Sequence, residues 1–146
     1  MARVTCTDCI TEGVTTIRAT PYGGPRSPRC MTHHRERRKQ ARNRSHELRT
    51  KANYGLTSEQ YWAIYAAQNG RCFVCQKATG KAKRLAVDHD HYREGCSHAP
   101  DVGCPGCVRA LLCGPCNQII GRLNAQALSR AITVLIDPPA QRVLCT

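Results

Sequence analysis

The stretch RLAVDHDHYREG, residues 84–95, sets four titratable, metal-capable side chains in succession: Asp88, His89, Asp90 and His91. Carboxylate and amide oxygens suit hard cations such as Mg2+ or Mn2+, whereas thiolates suit zinc. A neutral imidazole beside a hard cation can take a proton from water, because its pKa lies near working pH. The cation stabilises charge building on a phosphoryl group and on the leaving oxygen. The run could also be a zinc site or a polar turn, so the cysteines around it decide.

Those cysteines fall into sets with metal-ligand spacing. Cys72, Cys75, Cys113 and Cys116 form CxxC-x37-CxxC. Each pair can bite one Zn2+, and two pairs close a tetrahedron with no position left for water. Such a site is a staple; the alternative, four reduced buried thiols, would leave a small lobe with little to hold it. Cys6, Cys9, Cys30 and His33 form C-x2-C-x20-C-x2-H, a second zinc set in which His34 is the rival fourth ligand. Cys96, His98, Cys104 and Cys107 offer a third, against the alternative of a flexible loop with incidental thiols. Together these sets use ten of the eleven cysteines and leave Cys145 over. The zinc sets fill without residues 88–91, so that run is spare, and it lies between the two halves of the 72/75/113/116 staple. Asn117 directly follows Cys116, so the staple would carry it towards the run.

The elements that must position these residues are well punctuated. LTSEQYWAIYAAQNG (56–70) reads as a helix: Thr57 and Gln60 fit a capping box, Leu56 and Tyr61 a staple pair, and Asn69-Gly70 a left-handed stop. Tyr61, Ile64, Tyr65 and Gln68 share one face, which reads as core rather than ligand site. RLAV (84–87) and VRALL (108–112) read as strand-like. Ala125 to Ile136 reads as a closing helix with Leu128, Ile132, Leu135 and Ile136 on one side, stopped by Asp137-Pro138-Pro139. In a regular strand Asp88 and His89 would point to opposite faces, so both can serve one phosphate only if the strand ends or bends there.

Charge indicates the partner. The chain of 146 residues carries 22 Lys+Arg against 10 Asp+Glu, a formal +12. Residues 35–51 hold eight Lys/Arg and two Glu, a net of +6 in 17 residues, with no Gly or Pro to break a helix. The plain reading is a solvated helical linker. The sharper one is a DNA-backbone contact through Arg35, Arg37, Arg38, Lys39, Arg42, Arg44, Arg49 and Lys51, because charge this concentrated neutralises phosphates and releases counterions. No apolar run approaches the roughly 20 residues needed to span a bilayer, so no membrane partner is expected. The N-terminus (MARVTCTDC) lacks a signal-peptide apolar region, which predicts an intracellular, cytoplasmic protein whose Cys pairs are metal ligands. The segmentation expected is a Cys/His zinc lobe (1–34), a basic helical linker (35–53), a nuclease-like domain (54–139) and a tail (140–146).

Between Tyr54 and Pro139 the ordered set LTSEQYWAIYAAQNGRCFVC, LAVDHDH, VRALLCGPCNQIIG, closing helix and DPP resembles the recombination endonuclease VII family, of the HNH or ββα-metal (His-Me finger) nucleases. The resemblance implies a small α+β, zinc-stapled ββα-metal core with flanking helices, to which this chain adds an N-terminal zinc lobe. It implies that Asp88 and Asn117 ligate one Mg2+ or Mn2+, that His89 activates the attacking water, that His91 orients the substrate or the site, and that Cys72, Cys75, Cys113 and Cys116 bind zinc. It further implies branched DNA of the four-way-junction type as substrate, a homodimer, and a phage enzyme acting in the host cytoplasm with a link to genome packaging. The chain departs from junction-resolving members at Ile120, where such members can carry a glutamate. Two other readings stand beside a junction nuclease: a nicking HNH nuclease, site-specific or not, and a non-catalytic zinc module that binds nucleic acid. The last gives no reason for Asp88, His89 and Asn117 to occur together.

Overall fold

The computed structural model describes residues 5–14, 20, 22–24, 26–91, 93–99 and 101–144. Cys145, one residue of the tail and Tyr92 of the turn after the spare run lie outside them. Contacts divide the chain into two compact units, residues 1–51 and 52–146.

Among its described residues the first unit buries little besides cysteine. Its buried cluster is Cys6, Cys9 and Cys30, with Val14 packed against it. Helix α1 (Thr7–Thr11) carries Cys9, and helix α2 (Met31–Tyr54) begins directly after Cys30. Between them Arg29 pairs its backbone with Tyr22 and sets its guanidinium Nε 2.7 Å from the Asp8 carboxylate. The basic segment is helical throughout α2, which extends past 35–51 at both ends.

The second unit is built on helix α3 (Ser58–Ala67) and a two-stranded antiparallel sheet, β1 (Ala86–His89) with β2 (Val108–Leu112). At the start of α3 the Gln60 N–H donates to Thr57 Oγ1 at 3.3 Å and the Thr57 N–H to Gln60 Oε1 at 2.9 Å, the expected capping box. Leu56 and Tyr61 are both buried, and the Tyr61 hydroxyl donates to the Leu85 carbonyl at 3.0 Å. Asn69 and Gly70 take φ of 55° and 67° and stop the helix, again as expected. The core then closes over Leu85, which leads into β1, and over Val87, Ala110, Leu111 and Leu112 of the sheet, with Cys72 and Cys116 among them.

Gln68 has a larger part than its place on an apolar face predicts. Its amide donates to the Leu111 carbonyl at 2.8 Å and to the Arg71 carbonyl at 2.9 Å, and accepts from the Leu111 N–H at 2.8 Å. The side chain thereby satisfies both backbone groups of Leu111, as a third strand would.

Helix α4 (Gly114–Arg122) follows β2 directly and packs against β1. Asn124 caps helix α5 (Ala125–Ile136), accepting from the Ala127 N–H at 2.9 Å; a short helix α6 (Gln141–Leu144) follows.

One expectation needs correction, and one helix face stands open. The first strand is 86–89 and not 84–87: Arg84 and Leu85 lead into it, and pairing with β2 extends it over Asp88 and His89. The closing helix has the expected bounds, but its apolar stripe is not covered among the described residues: Ile132, Leu135 and Ile136 are 57, 82 and 78 % exposed. Periodicity specifies an apolar face, not what covers it. The elements present are helices with one small antiparallel sheet, an α+β arrangement.

Replacing Gln68 by alanine leaves the buried Leu111 N–H without its acceptor and the Leu111 C=O with the longer bond from the Phe73 N–H, at 3.2 Å. We expect Gln68→Ala to cost about 3 kcal/mol in the urea unfolding free energy, at an unchanged m-value.

Candidate functional site

Asp88 and His89 end β1, and the strand is irregular where they meet. Asp88 faces Ala110, but His89 faces Val108, so β2 holds one extra residue there, Arg109. A bulge of this kind bends the strands and breaks their alternation. Val87, Asp88 and His89 are accordingly buried in succession.

The extra residue is put to use. The Arg109 guanidinium grips the Asp88 carboxylate with both teeth of its fork, Nε to Oδ2 at 2.8 Å and Nη2 to Oδ1 at 3.0 Å. The Asp88 side chain is 8 % exposed and that of Arg109 44 %, so a half-exposed guanidinium holds a buried carboxylate. The hydrogen bond to Asp88, reinforced by the charges of Asp88 and Asp90, raises the Arg109 pKa above its ordinary value. The fork fixes the carboxylate plane and leaves lone pairs for another ligand. Arg109 was not foreseen from the sequence. Its one signal, a charged residue inside the apolar VRALL, acquires meaning only once the register is known.

The His89 ring lies 5.2 Å from the Tyr54 ring and 4.4 Å from that of the exposed His91, centroid to centroid. Asp90 is tied through its backbone N–H to the Cys107 carbonyl at 2.9 Å. Asn117 sits in the first turn of α4, with its N–H on the Cys113 carbonyl at 2.9 Å. Its Oδ1 is buried without a hydrogen-bond donor. An amide oxygen so placed is costly unless a ligand satisfies it. Mg2+ or Mn2+ fits this donor set: two hard oxygens, from Asn117 and Asp88, on elements that pack together.

The chain also holds three groups of soft ligands, one in the first unit and two in the second, each with ligand atoms within 4.8 Å of one another: Cys6, Cys9, Cys30 and His33; Cys72, Cys75, Cys113 and Cys116; and Cys96, His98, Cys104 and Cys107. In the first, His33 Nδ1 lies 3.2, 3.4 and 3.4 Å from the sulfurs of Cys6, Cys9 and Cys30. His34, its rival, stacks instead on Tyr22 at 4.9 Å. His33 Nε2 meets Glu12 Oε2 at 2.9 Å, the carboxylate that commonly orients a zinc-binding histidine. In the second group Cys75 and Cys113 lie 3.9 Å apart, close to the roughly 3.8 Å edge of a tetrahedron with Zn–S bonds of about 2.3 Å. The third group is drawn tighter, with His98 Nε2 2.9 Å from the Cys107 sulfur.

Crowded sulfurs perturb one another. Burial and the neighbouring sulfurs of Cys6 and Cys30 push Cys9 up to about 11. Burial also opposes ionisation of Cys6, but hydrogen bonds from the Cys30 and Cys9 backbone and from His33 outweigh it and bring that thiol to about 6. In the second group burial and Cys113 push Cys116 up to about 12, while backbone hydrogen bonds from Ala78 and Lys77 hold Cys75 near 6. Four thiolates at these distances would need a compensating cation, and a divalent ion would supply that charge.

On the first unit, Arg35, Arg38, Lys39 and Arg42 follow the spacing of a single helix face. They line a groove of about 750 Å³ together with Glu12, Thr32, His33 and Glu36. Arg37, Arg44 and Lys51 recur every seven residues on another face; these seven residues and Arg49 are all exposed.

Residues 47–137 match the family model for recombination endonuclease VII. The chain belongs to the recombination endonuclease VII family. It is 45 % identical over 145 residues to the Gene 59 protein of Mycobacterium phage D29, covering 97 % of this chain and 79 % of that protein. The Gene 59 protein of Mycobacterium phage L5 is 43 % identical over the same length and coverage. Membership of the endonuclease VII family makes the chain a nuclease, with DNA as its substrate, and its relatives are phage proteins. Among the described residues no helix is long and apolar enough to cross a membrane.

The three soft-ligand groups predict about three equivalents of zinc per chain by atomic absorption. Protons compete for thiolates, so zinc is retained near pH 8 and released as pH falls, the thiols with raised pKa re-protonating first. A chromophoric zinc indicator followed during stepwise acidification checks this; release on raising the pH instead would contradict the assignment.

Proposed function

We propose that this chain is a divalent-cation-dependent DNA endonuclease with a ββα-metal (His-Me finger) core, acting on branched DNA of the four-way-junction type. The observation that carries this reading is the buried, donorless Oδ1 of Asn117 on a helix that packs against the strand bearing Asp88 and His89. Asp88 and Asn117 would hold Mg2+ or Mn2+, which supplies stabilisation of charge on the scissile phosphate and the leaving oxygen. Arg109 locks the Asp88 carboxylate in orientation through its fork. His89 takes the proton of the attacking water, and its packing beside Tyr54 restricts the ring. His91, the neighbouring exposed imidazole, helps to orient the substrate. The soft-ligand groups are structural zinc sites, and the four-cysteine group joins the two segments that flank the site.

The basic face Arg35, Arg38, Lys39 and Arg42, with Arg37, Arg44, Arg49 and Lys51 around the helix, holds the phosphate backbone. A homodimer suits paired nicks across a junction, and the host cytoplasm and the phage packaging machinery are the setting this reading assigns. One observation favours a second reading, a nicking HNH enzyme without junction preference: Ile120, where junction-resolving members can carry a glutamate, packs against the core.

His89→Ala is expected to lower DNA cleavage by at least roughly a hundredfold while bound zinc stays unchanged. Loss of zinc in that variant would make the histidine structural. Changing Arg35, Arg38, Lys39 and Arg42 together to glutamine should weaken DNA binding and reduce the slope of log affinity against log salt by about 3 to 4. An unchanged slope would remove this helix face from the interface.

A further inference from the structure

The loop between the strands, residues 90–107, carries the Cys96, His98, Cys104 and Cys107 group. Its contacts point beyond that group. A methyl group on Gly103 would lie 3.0 Å from Cδ2 and 3.3 Å from Cγ of the His89 ring, and 3.2 Å from Cδ1 of Tyr54. The Gly103 backbone is not in the left-handed region, so it would accept alanine were it not for those two rings. The Gly103 N–H donates to the Asn53 carbonyl at 2.7 Å, one residue before Tyr54. Gly103 thus abuts both rings and is bonded to the helix end that carries Tyr54.

The same loop holds the backbone beside the histidine. Asp90, next after His89, donates its N–H to the carbonyl of Cys107 at 2.9 Å. Arg93 reaches the Gly106 carbonyl from further along. Gly103 adjoins Cys104, and Cys104 and Cys107 have sulfurs 3.2 Å apart, with Cys96 3.7 and 3.1 Å from them. Whatever fixes these sulfurs therefore fixes both the wall at Gly103 and the anchor at Asp90.

We propose that the Cys96/His98/Cys104/Cys107 loop is a positioning device for His89: with zinc on its four ligands it walls the imidazole at Gly103 and pins the end of β1 at Cys107. Gly103 is a positioning residue, not a catalytic one, since it acts through the ring. The function of this device rests on the reading of His89 as the base. The packing it describes does not.

The test uses the full chain with Gly103→Ala, and Gly106→Ala as a control in the same loop, where a methyl group meets nothing closer than the Cys104 sulfur at 3.7 Å. Four quantities are read: zinc content, DNA affinity, cleavage rate under saturating Mg2+, and the 1H–15N resonances of the His89 ring. For Gly103→Ala we expect parental zinc and affinity, cleavage slowed at least tenfold in kcat, and displaced His89 ring resonances. Gly106→Ala should match the parent in all four. Parental ring resonances in Gly103→Ala, or equal slowing in both variants, or loss of zinc from Gly103→Ala, would each overturn the proposal. If His89→Ala cleaves at the parental rate, the base reading fails by itself, and the ring resonances of Gly103→Ala still decide whether the loop positions His89.

Discussion

The convergence of cysteine and histidine side chains from distant parts of the chain is the interaction on which the rest depends. The first unit buries three cysteines where a larger domain would bury leucines. The second has a core of a few aliphatic residues, with Cys72 and Cys116 inside it. Units this small seldom hold together by apolar burial alone. Four thiolates on one divalent ion provide a cross-link that needs little buried area, and they leave the charge of the surface free for a polyanion.

That economy separates two kinds of chemistry within a short sequence. Soft sulfur ligands fill closed groups, whereas the hard oxygens of Asp88 and Asn117 belong to none of them. The separation is carried by geometry. One extra residue in β2 breaks the alternation of the sheet, and that residue, Arg109, is the one that grips Asp88. A regular ladder would have set Asp88 and His89 on opposite faces, with no argument for a shared substrate.

Much of this was legible in residue types and spacing, for identifiable reasons. The capping box at Thr57 and Gln60, the stop at Asn69-Gly70 and the bounds of α5 are local: each depends on side chains within a turn or two. The three ligand groups were readable because metal chelation imposes short spacings. What was hidden depends on long-range register. The span of β1, the bulge, the Arg109 fork, the bonds of Gln68 to Leu111, the Glu12 partner of His33 and the wall at Gly103 all arise from pairing between segments tens of residues apart. The exposed stripe of α5 is the converse case, a pattern that was visible without its covering partner.

We propose DNA cleavage at a hard cation held by Asp88 and Asn117, with His89 as the base. It is tested most directly by incubating zinc-loaded protein and Mg2+ with a labelled four-way junction and with linear duplexes of its arms, matched in sequence. Scission of the junction near its branch point, lost on removal of Mg2+, is the expected result. Equal cutting of both substrates would keep the nuclease and discard the junction. No cutting of either by folded, zinc-replete protein would overturn the assignment of Asp88, His89 and Asn117 as a nuclease site.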